Sequence, residues 1–219
     1  MFTYLTSLYQ ALDPLQSAYL LSCLVHNAFG LFECCVISKT KYATRNTTLY
    51  YLTCAVIAIT RAIYEYYSPT LPTCFIFLFV FLFLSNCFYL FVCIIYAQDK
   101  HNTWVCITLL TFICSVYYCM DKDILLISNK IEALHTLWFL SSIVNNFILF
   151  DSLLSLMITR HHDCPPQWIS LTAGMLQSAF SGLLNYKMND TLLAPADSLG
   201  IAVHLFGIIV EIQCQLMHH

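Results

Sequence analysis

From Phe75 to Leu84 the chain reads Phe-Ile-Phe-Leu-Phe-Val-Phe-Leu-Phe-Leu, ten residues without one polar side chain. The apolar character continues, with few breaks, to Ala97. A segment of this length and apolarity has one stable use in water-bathed membranes, a helix that spans the bilayer core, which needs about 20 residues. Six further segments meet the same description less completely. The spacing predicts helices over Ser17–Ser38, Thr47–Tyr67, Thr73–Ala97, Thr103–Cys119, Ile131–Thr159, Gln167–Tyr186 and Leu192–Met217. The fold class expected is therefore all-α, a polytopic membrane protein with about seven transmembrane helices.

Composition agrees. Apolar residues make up 59% of the 219, charged residues 10%, and the mean hydropathy is +0.72. A soluble domain is about 45–50% apolar and about 25% charged. Too few charges remain to coat a water-soluble globule, so a soluble enzyme and a disordered chain are excluded. Nine Lys and Arg against twelve Asp and Glu leave no basic footprint for nucleic acid. The first partner implied is the lipid bilayer, with 14 Tyr, 16 Phe and 3 Trp to supply interfacial belts. Met1–Gln16 lacks a basic stretch and does not read as a standard signal peptide. Eleven of the twelve cysteines lie in or beside apolar runs; Cys164 alone sits in a polar loop, and no C-x-x-C occurs. The cysteines read as small packing residues, and neither a metal site nor a cofactor site is called for.

Loop charges set the expected orientation. Lys39, Lys41, Arg45, Lys100 and Arg160 fall on one side, Lys122, Lys130 and Lys187 on the other. This places the N-terminus outside or lumenal and the C-terminus in the cytosol. The sequons Asn46-Thr47-Thr48 and Asn189-Asp190-Thr191 are then expected to stay unmodified, one being cytosolic and one lying against the membrane. His161-His162-Asp163-Cys164 lacks tetrahedral context for a metal, and His218-His219 read as a tail.

A shift of 119 residues brings two parts of the chain into register. Leu21-Ser22-Cys23-Leu24-Val25-His26-Asn27 lies over Leu140-Ser141-Ser142-Ile143-Val144-Asn145-Asn146, Leu52-Thr53 over Leu171-Thr172, and Tyr67 over Tyr186. Helices 1–3 match helices 5–7, and helix 4 is left as the linker. The expected organisation is an N-terminal segment (1–16), a first three-helix bundle (17–98), a linker helix and loop (99–130) and a second bundle (131–219). Four crossings separate the copies, so the repeat is parallel if helix 4 spans.

This 3-1-3 pattern resembles the SWEET sugar transporters and the wider PQ-loop superfamily. The second half carries most of the resemblance: Ile158-Thr159-Arg160 followed by Pro166-Gln167 at the helix 5–6 junction, Ser181-Gly182-Leu183-Leu184 ending helix 6, and Pro195-Ala196-Asp197-Ser198-Leu199-Gly200 opening helix 7. SWEET proteins carry W-x-x-Y-G near the end of helix 6 and P-N-x-x-G in helix 7. Here the Trp and Tyr are absent, and Asp197, with one extra residue before it, stands in place of the Asn. In the first half Arg61-Ala62-Ile63-Tyr64-Glu65 occupies the corresponding place. The retrieval receptor for KDEL-tagged proteins is similar in architecture too, with an arginine in helix 2 like Arg61, although its further arginines have no match here. What the resemblance implies is transport of a small polar solute, a sugar or similar.

Ionisable residues at membrane depth cost at least ~2.5–3.5 kcal/mol each, so they should face a cavity or a partner. Asp197, His204 and Glu211 are seven apart and share one stripe of helix 7, with Gly200 and Gly207 beside it. His26 and Glu33 share a stripe of helix 1, and Arg61 and Glu65 are one turn apart on helix 2. Asp197, His204, Asn27, Asn86, Asn146 and Arg61 are the candidate substrate-binding residues, expected around a central cavity. Arg61 should meet a carboxylate, Glu65 first, and Asp197 should lie across from helices 1 and 3 with Asn27 or Asn86 near. No nucleophile elbow, P-loop or zinc-protease motif points to an enzyme. A non-catalytic subunit or scaffold of a larger membrane complex, a homo-oligomer, and a cargo or lipid receptor remain alternative readings.

A variant whose one cysteine is Cys164 is expected to react with a membrane-impermeant maleimide from the cytosolic side. Reaction from the outside alone would overturn both the orientation and the parallel repeat.

Overall fold

The computed structural model describes residues 12–97, 129–159 and 168–217, with ten residues between 104 and 118. Cys164, the loop 160–167 with its His-His-Asp-Cys run, Lys100, Lys122 and the two terminal histidines lie outside the described residues. The fold is all-helical. The helices are α1 (Pro14–Thr40), α2 (Arg45–Tyr67), α3 (Cys74–Tyr96), α4 (helical wherever described from 104 to 118), α5 (Lys130–Thr159), α6 (Trp168–Lys187) and α7 (Ala194–Met217). Strand-like pairing among the described residues is a single bridge between Ala43 and Ala97.

Local chemistry explains the boundaries. Asp13 accepts the backbone N–H of Leu15 at 3.0 Å, and its own N–H reaches Gln16 Oε1 at 3.2 Å, a reciprocal cap with Pro14 in the first turn. Proline suits that position because its missing N–H would be unpaired there anyway. Helix 1 therefore begins three residues earlier than the apolar pattern suggests, inside the segment read as N-terminal. It ends at Lys41, whose left-handed φ of 56° turns the chain. Thr44 caps α2 by accepting the N–H of Thr47 at 3.1 Å. At the start of α5 Asn129 Oδ1 accepts the backbone N–H of Glu132 at 3.2 Å, and the Asn129 amide donates to Glu132 Oε2 at 2.8 Å.

Five helices among the described residues are long and apolar enough to cross a membrane: Pro14–Thr40, Asn46–Tyr67, Cys74–Tyr96, Lys130–Ser155 and Ala194–Gln213. The chain is an integral membrane protein, and lipid is its main surroundings. On α3 the outward face carries Phe77, Phe81, Leu84, Phe88, Phe91 and Ile95, all more than half exposed. The opposite face buries Phe75, Leu78, Phe79, Leu82, Asn86, Tyr89, Leu90 and Cys93.

Within the first three helices, α2 and α1 both pack on α3; within the last three, α6 and α5 both pack on α7. Two further interfaces join these groups, α2 against α5 and α1 against α6. α4 lies along α2: Leu110 joins the cluster of Tyr51, Leu52 and Leu90, while Tyr117 packs with Leu134, Ile59 and Ile63 nearer the other end. Tyr117 also bonds Thr60 through its hydroxyl. From Leu110 to Tyr117 helix 4 thus runs in the same direction as α2. Asp13 at the head of α1 pairs with Lys187 at the foot of α6, and this ammonium holds the Asp13 carboxyl below its ordinary value. Near the opposite end, Asn46 of α2 donates to Asp151 of α5 at 2.8 Å.

The cysteines behave as packing residues. Cys23, Cys34 and Cys93 are buried free thiols within these clusters. Close helix approach falls at a glycine: a Cβ at Gly30 of α1 would overlap the Tyr89 ring of α3, 2.7 Å from its Cδ2. Gly30→Ala is expected to lower the thermal stability of the detergent-solubilised protein by about 1–3 kcal/mol, the usual cost of overpacking. An unchanged melting curve would show that α1 and α3 are not in this register.

Candidate functional site

Arg61 is buried on α2, and its Nη2 lies 2.8 Å from Glu65 Oε1, one turn on. The pairing expected from the sequence is present. The guanidinium also faces the Trp138 ring of α5 at 3.7 Å from its centroid, with Phe79 and Tyr64 further out at 5.6 and 5.8 Å. A desolvated cation over an indole face is attracted by the ring quadrupole. Glu65 takes more than the arginine: Thr70 donates its N–H and its hydroxyl at 2.8 Å each, and Leu71 its N–H at 3.0 Å. The pair therefore fastens the α2–α3 turn. Glu33 of α1 accepts from the Tyr51 hydroxyl at 2.5 Å.

The remaining candidates separate into two places. On the α1–α3 contact, Asn27 Oδ1 accepts from Ser85 at 3.1 Å and its backbone carbonyl accepts from Tyr89 at 3.0 Å. Asn86 donates to the Leu82 carbonyl of its own helix at 2.7 Å. On the other side, Asn146 of α5 donates to the Ala196 carbonyl at 3.1 Å. Asp197 accepts from Asn185 of α6 at 2.7 Å and packs against Gly182. The sequence pattern sets Asp197 beside Asn27 or Asn86, across from α1 and α3; in the structure it bonds to α6 instead. The reason is local: Gly182 has no side chain, so α7 comes close enough for the carboxylate to take the Asn185 amide.

His204 finds a partner outside the candidate set. Its ring stands edge-on to His26 of α1, 6.0 Å between centroids and 87° between planes. His204 Nδ1 lies 2.6 Å from the Gly200 carbonyl. A carbonyl oxygen only accepts, so Nδ1 carries the hydrogen, and in the neutral ring Nε2 is the free base. His26 Nε2 is 3.0 Å from the Tyr50 hydroxyl of α2, and its Nδ1 is buried with no hydrogen-bond partner. Both rings rest on Gly174 of α6: a Cβ there would overlap the His204 ring and come within 3.0 Å of His26 Cε1. Four helices, α1, α2, α6 and α7, thus meet at two imidazoles. The heptad stripes on helices 1 and 7 point to both histidines; Tyr50 and Gly174 carry no sequence signal beyond a glycine inside an apolar helix.

A cavity of about 330 Å³ opens at the end of the fold where α2 stops and α5 and α7 begin. Tyr64, Thr70, His135, Met188, Asn189 and Asp190 contribute to its wall. His135 Nε2 pairs with Asp190 at 2.7 Å, and its ring stacks on Tyr64 at 5.4 Å. Among the described residues, no group of three or more His, Cys, Asp and Glu is placed to hold a metal ion.

No protein-family model matches the chain, and no curated protein matches it in sequence. The structure is similar to that of a eukaryotic SWEET transporter, with a TM-score of 0.63. The likeness covers 90% of this chain and 98% of the transporter at 15% identity. At that identity the likeness is one of fold alone.

Removing one member of a buried ion pair leaves the other uncompensated. Arg61→Leu is expected to destabilise the solubilised protein by ~3–5 kcal/mol. Adding Glu65→Gln should recover part of that loss, because the amide no longer carries a stranded charge. Strictly additive losses in the two substitutions would show that the pair is not coupled.

Proposed function

We propose that this chain is a SWEET-like transporter that carries a small polar solute, a sugar or a molecule of similar size, between its α1–α3 and α5–α7 helix groups. The observation that carries the reading is the fold shared with a SWEET transporter over nearly the whole length of both chains. The furnishing of the interior supports it. His26, Tyr50, His204, Asn145 and Asn146 are polar groups in an otherwise apolar bundle, and several lie where the two groups meet. The N-terminus and the cavity beside His135 would then face outside or lumen, and the C-terminus the cytosol.

An internal duplication of the PQ-loop kind belongs to the same proposal. The helix contacts support it, since the first and second helices of each group pack on its third, and α1–α6 and α2–α5 are exchanged by the same correspondence. Asn27 and Asn146, related by the shift of 119, each bond from the first helix of a group to the third. Under this reading 17–98 and 131–219 are the two bundles and 99–130 their linker.

One observation favours a second reading, a non-catalytic subunit of a larger membrane complex or a homo-oligomer: Asp197 is satisfied by Asn185 within the bundle. Two substitutions separate the readings. For a transporter, Asp197→Asn should keep the fold and change uptake by reconstituted vesicles, and Asp197→Leu should abolish uptake. For a subunit, both act through stability alone. Equal loss of thermal stability in both, with no uptake of labelled sugars by the parent protein, would remove transport.

A further inference from the structure

We infer that His26 and His204 form a proton-binding site shared between the α1–α3 and α5–α7 groups, and that proton binding there is linked to the parting of the two groups. The inference rests on the transport reading for the parting itself, and on the geometry for the site.

Imidazole is the side chain that exchanges a proton near neutral pH. Here two of them face each other from different helix groups, His26 from α1 and His204 from α7. Each offers a basic nitrogen. His204 Nε2 is the free base because Nδ1 is committed to the Gly200 carbonyl. His26 has a buried Nδ1 without a partner, while Nε2 is held by Tyr50. Such an orphaned buried nitrogen is rare and calls for an explanation.

The groups around the pair are uncharged or occupied. From α2 come the Tyr50 hydroxyl and, one turn on, the Cys54 thiol, which is directed at Asn145 of α5. From α6, Gln177 faces His26 and Gly174 supplies only backbone. On α1 the nearest carboxylate, Glu33, is seven residues away and bonded to Tyr51. On α7, Glu211 lies seven residues beyond His204. Among the described residues no carboxylate stands against either ring, so an imidazolium in this closed packing would be poorly compensated, and two at this distance would repel. A state in which the groups part and water reaches the rings favours the charged form. A ligand that binds one state better than another shifts the balance toward it, and the linkage is reciprocal. The pair would take one proton as the groups separate and release it as they close.

Two measurements test this. In protein carrying 13C-labelled histidine in lipid nanodiscs, the His26 and His204 ring signals should titrate together between pH 5 and pH 8, sharing one proton. Each assignment follows from loss of a signal in His26→Gln or His204→Gln. Titration of neither ring in that range overturns the proposal whatever the transport results are. In the second, parent protein in vesicles is given labelled glucose or sucrose at equal concentration on both sides and a gradient of one pH unit. Coupling of one proton to one solute moves the sugar about tenfold away from equality, in the direction set by the gradient. Sugar entry that stays at equality overturns the coupling and leaves transport standing. Absence of all sugar movement, with the pair still titrating, overturns the transport reading and the coupling together. Gly174→Ala, which removes neither imidazole but pushes a methyl group into His204, should abolish the tenfold displacement in protein that still melts cooperatively.

Discussion

Arg61 and Glu65 form an ion pair inside a structure that has almost no other way to neutralise an arginine. Lipid cannot solvate the charge, so everything around it is arranged to do so. Glu65 holds the guanidinium on one side and the N–H groups of Thr70 and Leu71 on the other, which sets where α3 turns back along α2. Trp138 covers the guanidinium face, which sets where α5 meets α2. One charge therefore determines the packing of three helices, two of them on opposite sides of the main division of the fold. Buried ion pairs often add little net stability, but they are unforgiving of rearrangement, because each alternative strands a charge.

The other polar side chains obey the same constraint at lower cost. Ser22, Thr40, Thr53, Ser85, Thr111 and Ser152 return their hydroxyls to carbonyls three or four residues back, a bond available in any helix. Asn86 also bonds within its own helix, but four other asparagines reach between helices: Asn27 to α3, Asn46 to α5, Asn146 to α7, Asn185 to Asp197. Two buried nitrogens among the described residues have no hydrogen-bond partner, His26 Nδ1 and Arg61 Nε, and the second belongs to a guanidinium already paired with Glu65 and covered by Trp138.

How much of this is legible in the sequence follows from what a one-dimensional pattern records. A run of about 20 apolar residues fixes a crossing helix almost alone, so the helices fall within a few residues of where the sequence places them. The exception is the start of α1, because Asp13-Pro14 looks like a break and is a cap. Heptad spacing also tells which residues share a face, and Asp197, His204 and Glu211 do lie on the inward side of α7. It does not tell which neighbour that face meets. Asp197 meets α6 rather than α1 and α3, and that choice depends on Gly182, on another helix, having no side chain. His26 and His204 are both visible as polar residues in apolar helices; their meeting depends on Gly174, and a lone glycine in a sequence does not say what it makes room for. The cavity beside His135 draws on four separate segments and has no linear signature.

The unequal apolarity of the helices bears on how the chain comes to be in the membrane. α3 presents aromatic and aliphatic side chains on every side, those from Phe77 to Ile95 outward and those from Phe75 to Cys93 inward, and would leave an insertion channel for lipid unaided. α6 is not among the helices apolar enough to cross by themselves, although it is 20 residues long. Its serines, Gln177 and Asn185 are accommodated only beside α1 and α7, and α7 is synthesised after it. α6 therefore depends on α1 and α7, the helices packed against it, to cover its polar side chains.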